Sequence, residues 1–165
     1  MKNRLQKILF CMILMGTFIL NTSYTVRPEY VPVFMERSEL ERSVSYLNKG
    51  RELVSPGKIY YKTPYIFINE KYKGIHVINN TDPKNPVNEA FIIAPGCIDM
   101  AVKGNILYMD NSVDLVAFDL DSKKVSERIR NVFPEPNPPG NFFYYPGEGR
   151  PEGFVIVGWK KSIKE

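Results

Sequence analysis

The chain has very few of the side chains on which most enzyme mechanisms and metal sites depend. Its 165 residues include one histidine, His76, and two cysteines, Cys11 and Cys97. A Ser–His–Asp triad or a Cys–His pair would have to use His76, and no G-x-S-x-G motif accompanies it. A phosphate-binding loop and a dinucleotide fingerprint are also missing. We therefore predict no catalytic residue, no metal ligand and no cofactor site.

The rare side chains outside the N-terminal segment are expected to be structural. His76 alternates with Ile75 and Val77 in an apolar run, so its side chain is predicted to lie on the opposite face of a strand from both. Cys97 is left without a disulfide partner once Cys11 is assigned to the N-terminal segment, and unpaired cysteines are usually small buried apolar residues.

Clustered positive charge is absent as well. The formal net charge is +4, but Lys2, Arg4 and Lys7 belong to the extreme N-terminus, and removing these three of the 22 basic residues leaves 19 against 18 acidic ones. A surface for nucleic acid or anionic lipid needs clustered positive charge. Nucleic acid is therefore not an expected partner.

The three basic residues precede an uncharged run over residues 8–20, which is typical of a secretory signal. The run is shorter than the ~20 residues that a membrane span needs. We predict that residues 1–23 are a signal peptide or membrane-targeting segment and make the only contact with a membrane. Cys11 follows Phe10 and comes too early for a lipoprotein signal, and whether this segment is cleaved, lipidated or kept as an anchor stays open.

Residues 24–54 form a polar lead-in. YVPVF at 30–34 is predicted to be an edge strand, because Pro32 cannot donate to a ladder. Ser38 and Glu41 have the spacing of a capping box, which predicts a short helix reaching about Tyr46.

Residues 55–165 are predicted to be a β-repeat domain of short strands separated by Pro, Gly, Asn and Asp turns. The predicted strands are KIYYK 58–62, YIFINE 65–70, GIHVIN 74–79, NEAFIIA 88–94, DMAVK 99–103, ILYMDN 106–111, VDLVAFD 113–119 and VSERIRNV 125–132. Two strands of the second four overlay on strands of the first four: 106–110 on 65–69 at an offset of 41 residues, and 114–119 on 74–79 at an offset of 40.

This period indicates two antiparallel four-stranded repeats, at about 57–96 and 97–133, with a partial third copy at 153–160 that contains FVIVGW. Four short strands on a period near 40 residues are typical of a β-propeller blade. The predicted fold is all-β and partially propeller-like, with a short N-terminal helix.

The segment 74–86 reads GIHVINNTDPKNP. It resembles the LVIVD repeat, in which an apolar strand and an Asp or Asn precede an Asp-Pro-x-x-Pro turn, here supplied by Asn79 and residues 82–86. The second copy keeps LVAFD at 115–119. The resemblance covers about 57–133 and implies exported bacterial proteins, commonly lipoproteins, that form β-propellers and have no assigned activity.

Aspartates near the predicted strand ends allow two interpretations. Asp110, Asp114, Asp119 and Asp121 have the composition of a calcium site, but they lack the glycine and terminal glutamate of an EF-hand loop. Aspartates at strand ends more often accept bonds from turn amides, and this is what we expect for them and for Asp82.

Aromatic residues are frequent, and most are expected in the core with one or two on an interaction surface. Neighbouring tyrosines in a strand must face opposite sides. The set comprises Tyr60, Tyr61, Tyr65, Tyr72, Phe142, Phe143, Tyr144, Tyr145 and Trp159.

Two classes of function remain open. The first is a non-enzymatic binding or scaffold module of unknown ligand, exported to the periplasm, the outer membrane or the cell surface of a bacterium. The alternative is an enzyme on a propeller platform whose active-site blades are missing, or a truncated relic without function. Two repeats leave apolar sheet faces uncovered, so self-association through those faces is predicted.

Overall fold

The computed structural model describes residues 30–140 and 149–162. Over these ranges the chain folds into short strands in three antiparallel sheets with one six-residue helix, so the predicted all-β class is confirmed. None of the helical segments in this part of the chain has the length and apolar character needed to cross a membrane. The predicted targeting segment at 1–23 and the aromatic residues 142–145 lie outside the described residues.

The strands follow the predicted alternation closely, and β4, β5 and β8 have the predicted bounds. The elements are β1 (Tyr30–Glu36), α1 (Arg37–Arg42), β2 (Ser45–Leu47), β3 (Pro56–Lys62), β4 (Tyr65–Glu70), β5 (Gly74–Asn79), β6 (Val87–Ile93), β7 (Met100–Lys103), β8 (Ile106–Asn111), β9 (Asp114–Asp119), β10 (Lys124–Ile129) and β11 (Phe154–Lys161). The first sheet has the order β2-β6-β5-β4-β3, the second β10-β9-β8-β7, and the third β1-β11.

The lead-in differs from its prediction. The N-cap of α1 is Glu36, which makes no side-chain capping bond, and the Oγ of Ser38 donates to the Glu36 carboxylate at 2.6 Å. The capping box predicted at Ser38 is therefore wrong. The helix ends at Arg42, and Tyr46 lies in β2 opposite Ile92 of β6, which gives the first sheet a fifth strand.

The third sheet joins the two ends of the described chain. β1 runs antiparallel to β11, with Tyr30 opposite Lys161 and Glu36 opposite Phe154. In a two-stranded sheet both strands are edges, which accommodates Pro32 as predicted. FVIVGW is a strand as expected, but within the described residues it pairs only with β1, so no third four-stranded repeat forms there.

The main core lies between the first and second sheets. Side chains from one face of each sheet interdigitate there, as expected when two half-apolar sheets bury their surfaces against each other. Its buried members are Phe67, Ile75, Val77, Ala90, Ile92, Ala94, Cys97, Met100, Leu107, Met109, Val116 and Phe118.

The two repeats use opposite faces in this core. Phe67 of β4 points into it, whereas Tyr108, its equivalent 41 residues later, points away. Conversely, Leu107 is fully buried in the core, and its equivalent Ile66 lies on the far side of the first sheet. The two sheets therefore pack with opposite faces of the repeat in contact, and each sheet has a second, outer face on the side away from the core.

Both outer faces carry a group of apolar side chains. We define the outer face of the first sheet by Ile59, Tyr61, Ile66, Ile68 and Ile78, which the strand register places side by side. Ile59 is 66% and Tyr61 60% exposed. The outer face of the second sheet is defined in the same way by Ala101, Tyr108, Leu115, Ala117 and Ile129.

Candidate functional site

His76 is fully buried and lies on the opposite side of its strand from the core residues Ile75 and Val77, as the alternation predicts. Its Nε2 lies 3.2 Å from Oε2 of Glu70 and its Nδ1 lies 3.4 Å from Nδ2 of Asn88. The amide of Asn88 can only donate through Nδ2, so Nδ1 accepts and Nε2 donates to the carboxylate. Both ring nitrogens are satisfied inside the protein.

Glu70 was not among the residues singled out from the sequence, yet it organises this region. Its two oxygens accept the backbone N–H groups of Val54 at 3.1 Å and Ser55 at 2.7 Å. Burial alone would raise the pKa of the carboxyl, but these two bonds and the one from His76 outweigh it and lower the pKa below its usual value. Ionised Glu70 thus holds the segment that leads into β3 by hydrogen bonds.

Cys97 is fully buried and is the only free cysteine in the described ranges. Burial and then the nearby charge of Asp110 raise the pKa of its thiol well above the usual value. Nδ2 of Asn69 donates to the carbonyl oxygens of Cys97 at 3.2 Å and Gly74 at 3.3 Å. The thiol stays protonated and inaccessible, which agrees with the predicted structural role.

Two of the strand-end aspartates bind turn amides as expected. Asp119 accepts N–H groups from Asp121 at 2.9 Å and Ser122 at 2.8 Å in the β9–β10 turn. Asp82 accepts the N–H of Lys84 at 3.0 Å and the side-chain amide of Asn85 at 2.8 Å. The bonds from Asn85 and Lys84 lower the pKa of Asp82. The Asp-Pro-x-x-Pro segment is therefore a hydrogen-bonded turn.

Asp114, at the start of β9, holds a cationic cluster instead of a turn. The fully buried carboxylate lies 2.8 Å from Arg37 and 2.7 Å from Arg128, and it also accepts the N–H of Asn131 at 3.1 Å. Arg37 comes from α1 and Arg128 from β10, so one carboxylate ties the lead-in to the second sheet. The aspartates considered together in the sequence therefore have separate structural roles: Asp119 binds turn amides and Asp114 pairs with two arginines.

Asp110 accepts the N–H groups of Ile98 at 2.9 Å and Asp99 at 2.8 Å. Burial raises the pKa of this carboxyl, and the bonds from Asp99 and Ile98 oppose the rise without cancelling it. Within residues 30–140 and 149–162, no three His, Cys, Asp or Glu side chains are grouped so that they would hold a metal ion.

A cleft of about 790 Å³ lies between the β4–β5 turn and the third sheet. Lys71, Tyr72 and Lys73 form one rim, while Val157 and Trp159 of β11 line the other side. The turn is fixed because the N–H of Tyr72 donates to the Cys97 carbonyl oxygen at 2.8 Å. The cleft therefore combines aromatic and aliphatic walls with two exposed ammonium groups, and we call it the lysine cleft.

The indole of Trp159 is held in position by a hydrogen bond from its Nε1 to the carbonyl oxygen of Pro136 at 2.9 Å. Tyr72 packs directly against Gly158, where a Cβ would meet the tyrosine Cβ at 3.2 Å. Close packing of the turn on β11 thus sets the position of the cleft. Of the predicted aromatic set, Tyr72 and Trp159 line this opening, and Tyr60 and Tyr61 face opposite sides of β3 as predicted.

No family model, curated protein or solved structure matches this chain. The resemblance of residues 74–86 to the LVIVD repeat stays a prediction.

Proposed function

We propose that this protein is a non-enzymatic binding module of the bacterial cell envelope, built from LVIVD-like repeats and exported by its N-terminal segment. The observation that carries the proposal is the lysine cleft, an open site whose lining in the described part of the chain combines two lysines with aromatic and aliphatic walls and includes no carboxylate, histidine or cysteine. Binding by shape and charge is the chemistry that such a lining supports.

The buried polar residues argue in the same direction. His76 and Cys97 are the side chains most suited to catalysis, and both are fully buried with partners inside the fold. A general base must come within hydrogen-bond reach of a substrate proton. Neither side chain lines the lysine cleft, so neither can act on a ligand bound there.

The same-direction stacking of the two repeat sheets supports a propeller-like arrangement. In a propeller each blade covers the back of the next with its front. The repeat positions in this chain follow that pattern, because the first sheet buries Phe67 and the second buries Leu107, the equivalent of Ile66. The short helix α1 then belongs to the lead-in that closes the second sheet through Arg37 and Asp114.

The chemistry of the cleft defines the ligand class. Lys71 and Lys73 favour an anionic group, and the rings of Tyr72 and Trp159 favour a planar or apolar one beside it. Lys73 also lies 3.7 Å from the Glu70 carboxylate, which holds its side chain near the rim. We therefore propose small ligands that carry one carboxylate, sulfonate or phosphate next to an apolar ring.

The test uses Trp159 as an internal reporter, since it is the only tryptophan of the chain. The probe is 1-anilinonaphthalene-8-sulfonate, and binding is read as energy transfer from the selectively excited indole to the dye. The uncharged analogue N-phenyl-1-naphthylamine serves as the matched probe. We expect the sulfonate to bind more tightly than the analogue.

Removing both ammonium groups with Lys71→Ala and Lys73→Ala should weaken binding of the sulfonate about tenfold, because two exposed charges contribute roughly 1.4 kcal/mol together. Binding of the uncharged analogue should not change. The control is the double variant Lys84→Ala and Lys103→Ala, which removes two exposed lysines outside the cleft. Equal sulfonate affinity in both double variants, or no transfer from Trp159, would contradict the proposal.

A further inference from the structure

The internal interface between the two repeat sheets suggests how a second molecule could bind. We call the face with Tyr60 and Phe67, and its equivalent in the second sheet, the front, and the opposite face the back. The internal interface joins the front of the first sheet to the back of the second, and the Tyr60 hydroxyl donates to the Val102 carbonyl oxygen across it at 3.0 Å. The two sheets are two copies of the same repeat, so each has a front face and a corresponding back face. The back face of the first sheet and the front face of the second sheet are the two outer faces, and neither is used in the internal interface.

The outer face of the first sheet has the same apolar character as the buried back of the second. Every residue that defines it has an apolar counterpart 40 or 41 positions later; four of these counterparts are buried in the main core, and the fifth, Val102, is partly buried and packs against it. The pairs are Ile59 and Met100, Tyr61 and Val102, Ile66 and Leu107, Ile68 and Met109, and Ile78 and Phe118.

The outer face of the second sheet has a recess of about 450 Å³, lined by Ala101, Tyr108 and Leu115 of the sheet together with Phe133 and Pro134 of the segment that follows β10. Ala101 is the counterpart of Tyr60, so a small side chain stands where the first sheet has a large one. The recess has room for the bulkier side chains of the opposite outer face.

We infer that a second copy of this chain docks on the molecule front to back, with the outer face of its first sheet on the outer face of the second sheet. Within the described residues no third repeat sheet covers that surface, because β11 pairs only with β1. By analogy with the Tyr60–Val102 contact, Tyr61 of one copy meets Ala101 of the other. This interface is heterologous, and it does not involve the lysine cleft.

A second copy is favoured over an unrelated partner because each chain presents both halves of an interface that it already forms internally. Exposed Ile59 and Tyr61 continue into neighbouring apolar side chains of the same sheet face, and a contiguous exposed apolar patch marks an interaction site more often than an isolated exposed residue does. The assembly extends by addition at both ends unless the rotation between copies closes it into a ring.

The test is sedimentation velocity of the purified full chain, as processed by the host, over a concentration series. Tyr61→Lys places a charge on one docking face and Ala101→Lys on the other. Each should raise the dissociation constant at least tenfold. Val87→Lys, at a residue that is 57% exposed and on neither face, should associate like the wild type.

Mixing the two charged variants distinguishes the front-to-back mode. The Tyr61→Lys chain keeps an intact second-sheet face, and the Ala101→Lys chain keeps an intact first-sheet face. Their mixture should form a dimer with one copy of each and no longer assembly. A symmetric interface would gain nothing from mixing.

Circular dichroism checks that the variants fold, and Ile59→Lys replaces Tyr61→Lys if that variant does not. A wild-type chain that stays monomeric at every concentration would overturn the inference, including the case in which residues 141–148 cover the second-sheet face. Association that neither charged variant weakens, or a mixture that stays monomeric, would overturn it too.

Discussion

In both repeats a carboxylate holds the chain before the first strand by hydrogen bonds to backbone N–H groups, but the electrostatic surroundings of the two carboxylates differ. In the first repeat Glu70 accepts two backbone N–H groups from the residues before β3, and in the second Asp110 accepts two from the residues before β7. The carboxylates lie at adjacent positions of equivalent strands. Both carboxylates accept two backbone N–H groups, although their positions in the repeat differ by one residue.

The surroundings of the two carboxylates differ. Burial would raise the pKa of Glu70, but its two backbone bonds, the bond from Nε2 of His76 and the nearby charge of Lys73 lower it. Asp110 lies near the buried thiol of Cys97, and burial raises its pKa. Ionisation of the carboxyl group therefore stabilises this hydrogen-bonded arrangement in the first repeat and destabilises it in the second. The two repeats share a hydrogen-bond pattern but not a response to pH.

The largest difference between the repeats lies at the start of the third strand, where Gly74 corresponds to Asp114. Asp114→Ala should lower the free energy of unfolding by about 3 kcal/mol, because Arg37 and Arg128 lose the buried carboxylate that pairs them. Urea denaturation measures the change. Asp121→Ala, at an exposed turn, is the control and should cost less than about 0.5 kcal/mol.

Gly74→Ala should be at least as damaging, for the opposite reason. Gly74 has a φ of 144°, and a Cβ there would collide with the Ile92 carbonyl oxygen. The position thus requires no side chain in one repeat and a charged one in the other. Near-normal stability of either variant would mean that the two hairpins are not specialised in this way.

The carboxylates come next in size. Glu70→Ala should lower the free energy of unfolding by about 2 kcal/mol, since hydrogen bonds to a charged group contribute roughly 1.5–3 kcal/mol and His76 would remain buried without its acceptor. Asp110→Ala should cost about 1 kcal/mol, because removing it also relieves the burial of a charge. Glu127→Ala, on the exposed strand β10, is the matched control. An equal cost for Glu70 and Asp110 would show that the surroundings do not matter.

The smallest expected effect is the dependence of these differences on pH. Glu70 has a folded pKa below its unfolded value of 4.5, so its contribution is complete above that value and is lost as the pH falls through the folded pKa. Asp110 has a folded pKa above 3.8, so it weakens the fold as the pH rises through the folded pKa. The two contributions therefore have opposite slopes.

Unfolding measured between about pH 3 and pH 7 separates the two slopes. Asp110→Asn should be less destabilising at the upper end of this range than at the lower end, whereas Glu70→Gln should be more destabilising at the upper end than at the lower end. Parallel pH profiles of the two variants would remove the electrostatic part of the comparison.

Much of the fold was predictable because its signals are local. The alternation of YIFINE and ILYMDN, each followed by a turn, defines β4 and β8 to the residue. β2 was not predictable, since a three-residue strand at Tyr46 is stabilised by pairing with β6 rather than by its own pattern. The spacing of Ser38 and Glu41 indicated a capping box, but the chain leaves a strand directly into α1 and caps it with Glu36.

The polar sites were less predictable than the strands. Glu70 ends an apolar strand, and that break was the only local signal of its role. Its partners Val54 and Ser55 lie 16 and 15 residues away. The lysine cleft depends on β11 packing against the β4–β5 turn, which local periodicity does not encode. By contrast, the alternation around His76 was enough to predict that its ring lies on the opposite face from Ile75 and Val77, and the missing disulfide partner was enough to predict the burial of Cys97.

The pairing of β1 with β11 sets an order of events during synthesis. β1 is the first described strand to be made, and its only ladder partner is the last. A strand that waits unpaired while the two repeat sheets assemble is exposed to wrong partners, and Pro32 reduces that hazard because it interrupts the row of donors that a wrong partner would bind. The same residue that confines β1 to an edge in the finished protein therefore protects it while the rest of the chain is still being made.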